Sequence, residues 1–397
     1  MKSRVYLFVT PFFPSPKNWR GAYCYDFVRA LERTGRYRIF VFKPGDGADY
    51  DYEGVRVRTF RTRFLPSNVF PFLFRRWNQK SFLRKLEQSG IDLRSVSVCH
   101  GNTSSFSIYP DAVRSLNPSC RSILHHHDLG SFGLQCGILR HCWLYNLIEF
   151  PILRHWHEKM DMHVFISEMN RMSFLAAPDT RWTCFAEYKR QMQWLPWRST
   201  RIKRSCVLYN GVDTSVFNAL GRKAHDGFVI GCVGNYNPSK GQLVLLKAVK
   251  ELVQRKRIEG LKVRLVGSGE CLGVCKRFVA ENGLESIVTF ETEVRHEELP
   301  DFYRALDLFV LPSVWDGFGC VYTEAWACGT PFIATDGVGA KELVAEPDKW
   351  IIRADDEMAL ADLIVRYSQN RWCQRLICAA DIDTLLSKFL SQQEGFI

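Results

Sequence analysis

None of the fourteen cysteines forms a C-x-x-C pair, and no second pair at ligand spacing accompanies Cys271 and Cys275, so no structural zinc site is expected. Most cysteines stand inside apolar segments, where a reducing compartment leaves them as small apolar side chains. No apolar run approaches the ~20 residues of a membrane-spanning helix. The first apolar run, Val5 to Val9, is too short for a signal-peptide core and runs into Pro11, which predicts a cytoplasmic protein. Gly267-Ser268-Gly269 is a bare G-x-G and lacks the third glycine of a dinucleotide fingerprint. No nucleic-acid recognition motif occurs, and none is expected among the partners.

The chain has 397 residues, 46% of them apolar, which suits two domains with ordinary buried cores. The formal charge of +11 is unevenly spread: residues 1–210 hold 32 Lys and Arg against 16 Asp and Glu, and residues 211–397 hold 21 against 26. A basic first half fits an anionic partner such as a lipid surface or an acidic glycan, and equally a plain solvated surface. Residues 63–85 add Phe72, Leu73, Phe74, Trp77, Phe82 and Leu83 to Arg75, Arg76, Lys80, Arg84 and Lys85. That composition fits either a helix at an anionic membrane or a core-packed helix with a basic outer face.

Apolar runs and helical patterns alternate along the chain. Strands are expected at 5–10, 38–42, 95–100, 121–125, 161–167, 228–233, 262–266, 288–290, 308–311 and 332–335, with helices at 23–33, 111–116, from 168, 242–257 and 375–390. This is the pattern of doubly wound α/β sheets. His125-His126-His127-Asp128 closes the 121–125 strand; three successive histidines cannot all point one way, so they make a poor metal claw. A histidine at the carboxyl end of a parallel strand does lie where such sheets bind ligands, and His127 is the candidate, with His126 the alternative.

Two stretches in the second half carry the most chemistry. Gly234 to Gly241 leads from a strand into a helix with Lys240 at its N-terminus, where a cation opposes the helix dipole and an anion would relieve it. In the second, a strand ends in Pro312-Ser313; Asp316-Gly317-Phe318-Gly319 follows, then a helix carrying Glu324. The glycines leave backbone N–H groups open to close approach, and the two acids, with seven residues between them, face what is attached to a bound phosphate. Phosphate plus polyol describes a nucleotide sugar.

The run from Asp316 through Glu324, Ala325, Ala327, Gly329 and Pro331 resembles the acid-x7-acid motif of the retaining glycosyltransferases of family 4. The Asn210-Gly211-Val212-Asp213 words, Lys240-Gly241, and Gly339 with Glu342 are similar to further steps of that family. The resemblance implies the GT-B fold, two Rossmann-like domains facing a cleft. The acceptor-binding domain would span 1–205 and be joined by a final helix at about 376–397. The nucleotide-sugar domain would span 206–375. It implies sugar transfer with retention of configuration, from a nucleotide-diphosphate sugar to a glycan or lipid-linked acceptor in bacterial surface polysaccharide assembly. No cofactor and no metal would be required, and no D-x-D stands at a predicted strand end.

By the same resemblance, Lys240, Gly241 and the backbone of Gly317, Phe318 and Gly319 would hold the diphosphate, with Gly21 and Asn235 nearby. Glu324 would bind the ribose, Asp316 the sugar hydroxyls, and His127 the sugar from the other domain. Three departures stand out: Asp316 replaces the usual Glu, Asn235 the usual Arg, and only Gly21 remains of a glycine pair. The changes at Asp316 and Asn235 leave a non-catalytic glycan- or nucleotide-sugar-binding relative as one alternative, and a nucleotide-sugar epimerase or phosphorylase of the same fold is another.

Overall fold

The computed structural model describes residues 4–16, 18, 20–64, 72–127, 150–175, 201–222, 224–255, 258–292, 294–378 and 380–393. Lys17, Trp19, Asp128, residues 65–71 of the basic stretch and residues 182–200 lie outside them. The described residues fall into two compact units. One holds the chain up to Tyr209 together with the segment from Ile382, and the other holds Asn210–Asp381.

The first unit is built on an eight-stranded sheet of order β3-β4-β2-β1-β5-β6-β7-β8. Its strands are β1 (Arg4–Val9), β2 (Tyr37–Pro44), β3 (Tyr50–Tyr52), β4 (Val55–Phe60), β5 (Val96–Gly101), β6 (Arg121–His126), β7 (Met162–Phe165) and β8 (Ser205–Val207). Every pairing is parallel except that of β3 with β4. Parallel strands are covered on both faces, and β1 shows how one sequence serves two cores. Val5, Leu7 and Val9 point to one face, with Phe82, Leu86 and Tyr109. Tyr6 and Phe8 point to the other, with Phe27, Val28, Leu386 and Phe389. Alternation at period two makes both contacts possible, and each fully buried aliphatic or aromatic contributes about 1.5–3 kcal/mol. Helices α1 (Ala22–Arg33), α2 (Arg75–Gln88), α3 (Ile108–Leu116), α4 (Phe150–Lys159) and α5 (Glu168–Leu175) complete this unit's N-terminal part.

The second unit has a six-stranded parallel sheet of order β11-β10-β9-β12-β13-β14. The strands are β9 (Phe228–Val233), β10 (Leu261–Val266), β11 (Val288–Glu291), β12 (Leu308–Val310), β13 (Phe332–Thr335) and β14 (Ile351–Ile352). Its helices are α6 (Gln242–Gln254), α7 (Leu272–Glu281), α8 (Leu299–Arg304), α9 (Cys320–Ala327) and α10 (Glu357–Asn370). The apolar stripe Leu245, Ala248, Val249 and Leu252 of α6 is buried, as its helical spacing requires.

Three expectations are corrected. Residues 205–207 pair with β7 as the last strand of the first sheet, so the chain crosses between units after Tyr209 and not after residue 205. The final helix, α11 (Ile382–Gln392), starts seven residues later than residue 375. Before it, Leu376 bridges Val344 and the Ile377 N–H donates to the Leu343 carbonyl, which holds that segment extended on the second unit. Asp383 of α11 pairs with Arg33 at 2.9 Å, within the first unit. A D-x-D tripeptide also stands at a strand end, Asp49-Tyr50-Asp51 across the start of β3, but its acids are occupied. Asp49 pairs with Lys85 at 2.7 Å and Asp51 with Arg56 at 2.6 Å.

Candidate functional site

In the second unit two loops are stitched together beyond the carboxyl ends of β9 and β12. The Asn237 side chain accepts from the Ser239 N–H at 3.0 Å and from its hydroxyl at 2.8 Å, and Pro238 opens a short 3-10 turn. This Asx turn ends at Gly241, which caps α6 with a φ of 71°. A Cβ on Gly241 would lie 2.0 Å from the Pro312 carbonyl oxygen, so only glycine lets the two loops meet. The Val314 N–H donates to the Ser239 carbonyl at 2.8 Å and closes the seam.

Across it, Lys240 Nζ donates to Asp316 Oδ2, with both side chains mostly buried. The dipole conflict at α6 is therefore answered from within the chain, and the anion at Lys240 is a carboxylate of the same site. The Asp316 backbone is fixed on both sides. Its N–H donates to the Gly337 carbonyl at 3.1 Å, and its carbonyl accepts from the Gly339 N–H at 3.0 Å. Gly319 caps α9. Gly317 and Phe318 are both buried, and the Phe318 carbonyl accepts from the Ala340 N–H at 2.9 Å, so of the three loop residues expected to offer backbone to a diphosphate only Gly319 is partly exposed. Asn235 is exposed at the start of its loop, and its carbonyl accepts from Gln242 Nε2 at 3.1 Å.

Glu324, on α9, is 8% exposed and not a solvated helix residue. Burying a carboxylate requires partners, and sequence reasoning missed them. The Tyr303 hydroxyl donates to Oε2 at 2.8 Å, and His296 Nε2 stands 3.7 Å from Oε1. Burial, then the adjacent Glu324 charge, holds the Tyr303 hydroxyl far above the usual phenol range, so it stays a donor. Phe217 packs on both rings, with centroids 5.1 Å from His296 and 6.3 Å from Tyr303. Tyr303 and Glu324 sit on two short helices 21 residues apart, and no local pattern couples them. Trp315 Nε1 and the Tyr236 hydroxyl are buried without a partner. A buried donor in that state awaits water or a ligand group.

In the first unit, His127 follows the end of β6. Its ring lies between Tyr23, at 4.7 Å, and His125, at 4.2 Å. His126 points the other way, into the core against Phe165, which removes it as the alternative. His127 Nε2 lies 2.8 Å from Asn102 Oδ1. The Asn102 amide nitrogen is 3.1 Å from Thr10 Oγ1, whose own proton goes to the Phe12 carbonyl at 2.8 Å. Asn102 Oδ1 must therefore accept, so Nε2 carries the proton and Nδ1 is left as an acceptor. Burial lowers the His127 pKa to about 3 and keeps the ring neutral. Gly21 caps α1, and a Cβ there would fall 2.7 Å from the Phe12 carbonyl carbon, so its need is met by packing.

The basic stretch resolves into two parts. Phe72 and Phe82 are fully buried, as is Leu86. Arg76, Lys80 and Arg84 form an exposed stripe at four-residue spacing on α2, while Lys85 is taken by Asp49. Among the described residues no helix is long and apolar enough to cross a membrane.

Residues 227–370 match the family model described as Glycosyl transferases group 1. The lipopolysaccharide core biosynthesis mannosyltransferase LpsB of Rhizobium meliloti is 35% identical over 181 residues, 42% of this chain and 51% of that protein. A GDP-mannose-dependent alpha-(1-6)-phosphatidylinositol monomannoside mannosyltransferase of Mycolicibacterium smegmatis is 34% identical over 125 residues, 30% of this chain and 32% of that protein. The chain thus spans about half or less of the length of these curated relatives. Among solved structures, sucrose-phosphate synthase from Thermosynechococcus elongatus aligns with a TM-score of 0.69 at 18% identity, over 99% of this chain and 96% of that one. Anabaena Alr3699/HepE, solved with UDP and glucose, aligns with a TM-score of 0.68 at 18% identity, over 99% and 100%. Residues 227–370 thus carry a glycosyl transferases group 1 domain, and the chain as a whole has the two-sheet α/β fold of these solved structures, the GT-B fold.

Proposed function

We propose that the protein transfers a sugar from a nucleotide-diphosphate sugar to a glycan or lipid-linked acceptor, with retention of configuration. The observation that carries this reading is the Lys240–Asp316 pair at the N-terminus of α6, in one domain with the buried acid Glu324. In this reading the donor diphosphate takes Lys240 from Asp316. The ammonium and the helix N-terminus then offset the charge that gathers on the nucleoside diphosphate as its bond to the anomeric carbon breaks. Asp316, released, accepts from the sugar hydroxyls, and Glu324 accepts from the ribose. His127 keeps the role that the resemblance implies, toward the transferred sugar. Its bare Nδ1 suits a hydroxyl donor, and its low pKa excludes an imidazolium at neutral pH.

The relatives support an acceptor at a cell-surface lipid or glycan, since their names place them in lipopolysaccharide core and phosphatidylinositol mannoside synthesis. The exposed Arg76, Lys80 and Arg84 stripe supports peripheral contact with an anionic membrane through charge, while the burial of Phe72 and Phe82 argues against their insertion.

Incubating the full chain with a panel of nucleotide-diphosphate sugars tests the activity, with and without a lipid-linked glycan acceptor. Release of nucleoside diphosphate and a product whose anomeric configuration by NMR matches the donor are expected. Interconversion of the free nucleotide sugar with no acceptor would make it an epimerase. No turnover of any donor that binds would make it a binding relative.

A further inference from the structure

Glu324 is a carboxylate with two environments, one at each oxygen. Oε2 receives the buried Tyr303 hydroxyl at 2.8 Å, which links α8 to α9. Oε1 faces the His296 ring at 3.7 Å, beyond hydrogen-bond reach though within ion-pair range. Phe217, itself buried, backs both aromatic partners. A carboxylate on a helix ordinarily turns about its last torsion among broad minima. Here one oxygen is tethered, so the plane is fixed and the second oxygen is left as the acceptor. The tether also supplies the hydrogen bond that a buried charge needs in the absence of ligand.

We infer that Tyr303 and His296 are positioning residues that set Glu324 to read the ribose diol of the donor nucleotide. The inference rests on the assignment of Glu324 to the ribose. Tyr303 fixes the carboxylate plane through Oε2, and the His296 ring walls the approach to Oε1, so a ribose hydroxyl meets an acceptor already turned toward it. The cost of ordering the carboxylate is met in folding, and binding gains by that amount. The nucleotide's phosphates lie outside this arrangement, so its effect is confined to the sugar ring of the nucleoside.

The test is titration calorimetry on the full chain with a nucleoside diphosphate and with its 2′,3′-dideoxy form. The parent should prefer the ribo form by about tenfold or more, the scale of one hydrogen bond to a charged group. Tyr303→Phe should lose most of that preference while binding the dideoxy form as the parent does. His296→Ala should lose part of it in the same way. Its ring is partly exposed on a short turn, so it decides the matter if Tyr303→Phe fails to fold. A parent with no ribo preference would end the ribose assignment itself. A parent with the preference and variants that retain it in full would leave that assignment standing and overturn the positioning role.

Discussion

Lys240 of the α6 N-terminus donates a hydrogen bond to Asp316 of the loop before α9, which makes the site's cation and its first acid a single unit in the ligand-free chain. Both are more than three-quarters buried at the side chain, so neither is screened as a surface pair would be. A diphosphate bound here must compete with that carboxylate for the ammonium.

Lys240→Ala therefore removes the charge that the donor takes over. Nucleoside diphosphate binding should weaken by about 1.5–3 kcal/mol, the range for a hydrogen bond to a charged group. A nucleoside without phosphates should bind parent and variant alike. Titration calorimetry with both ligands checks this, and equal losses for the two would point to a folding defect.

Asp316 is one methylene shorter than the family's glutamate, and a hydrogen bond does not survive stretching by that length. Asp316→Glu should keep measurable transfer but shift the preferred sugar, because its carboxylate reaches a different hydroxyl. Initial rates over a donor panel give the answer, and an unchanged order of preference counts against Asp316 meeting the sugar.

A chain of neutral histidines crosses the first domain. The Ser104 hydroxyl is 3.1 Å from His126 Nδ1, His126 Nε2 is 2.9 Å from His163 Nδ1, and His163 Nε2 is 3.0 Å from the His157 carbonyl. The last contact requires a proton on His163 Nε2, which leaves its Nδ1 to accept from His126. Burial lowers the pKa of His157 to about 3 and of His163 to about 4, and pushes His126 well below its ordinary value. With folded pKa values below the unfolded value near 6.5, the unfolded chain binds protons that the folded chain refuses. Stability is full above about pH 6.5 and is lost as pH falls toward 4, at about 2 kcal/mol per histidine by pH 5. Hydrogen exchange corrected for intrinsic rates should show protection of the β6 and β7 amides falling between pH 7.5 and pH 5. The β9 and β10 amides should change less. Equal changes in both sheets would remove the histidines as the cause.

The Arg76, Lys80 and Arg84 stripe predicts binding to anionic liposomes that weakens as salt rises. Replacing the three with Gln should cost about 3 kcal/mol of that binding, at about 1 kcal/mol per cation near an anionic surface, with donor affinity unchanged. Sedimentation with neutral and anionic vesicles reads it, and equal recovery with both would sink the membrane reading.

Where one helix or strand carries its own pattern, the fold was legible. Phe228–Val233 and Phe332–Thr335 form strands at the expected bounds, and the α6 stripe is buried as spaced. Three short strands are not among the expected ones: charged residues interrupt Tyr50–Tyr52 and Val55–Phe60, Ile351–Ile352 is only two residues long, and pairing supplies the order of all three. Arg375 to Asp381 read as helix, yet the Val344–Leu376 bridge overrides propensity there. Lys240, Asp316 and Glu324 were visible as residue types at telling positions. Their partners were not. The Lys240–Asp316 pair spans 76 residues and the Tyr303–Glu324 bond 21, and such contacts exist only once the strands bring the loops together.

The most direct test of the account is the transfer rate of Glu324→Ala beside the parent, with thermal melting to confirm the fold. The account predicts a variant that melts as a folded protein and has lost most of its transfer, because the buried acid that meets the nucleotide is gone. Full transfer in that variant would contradict it and take Glu324, with its seven-residue link to Asp316, out of the mechanism.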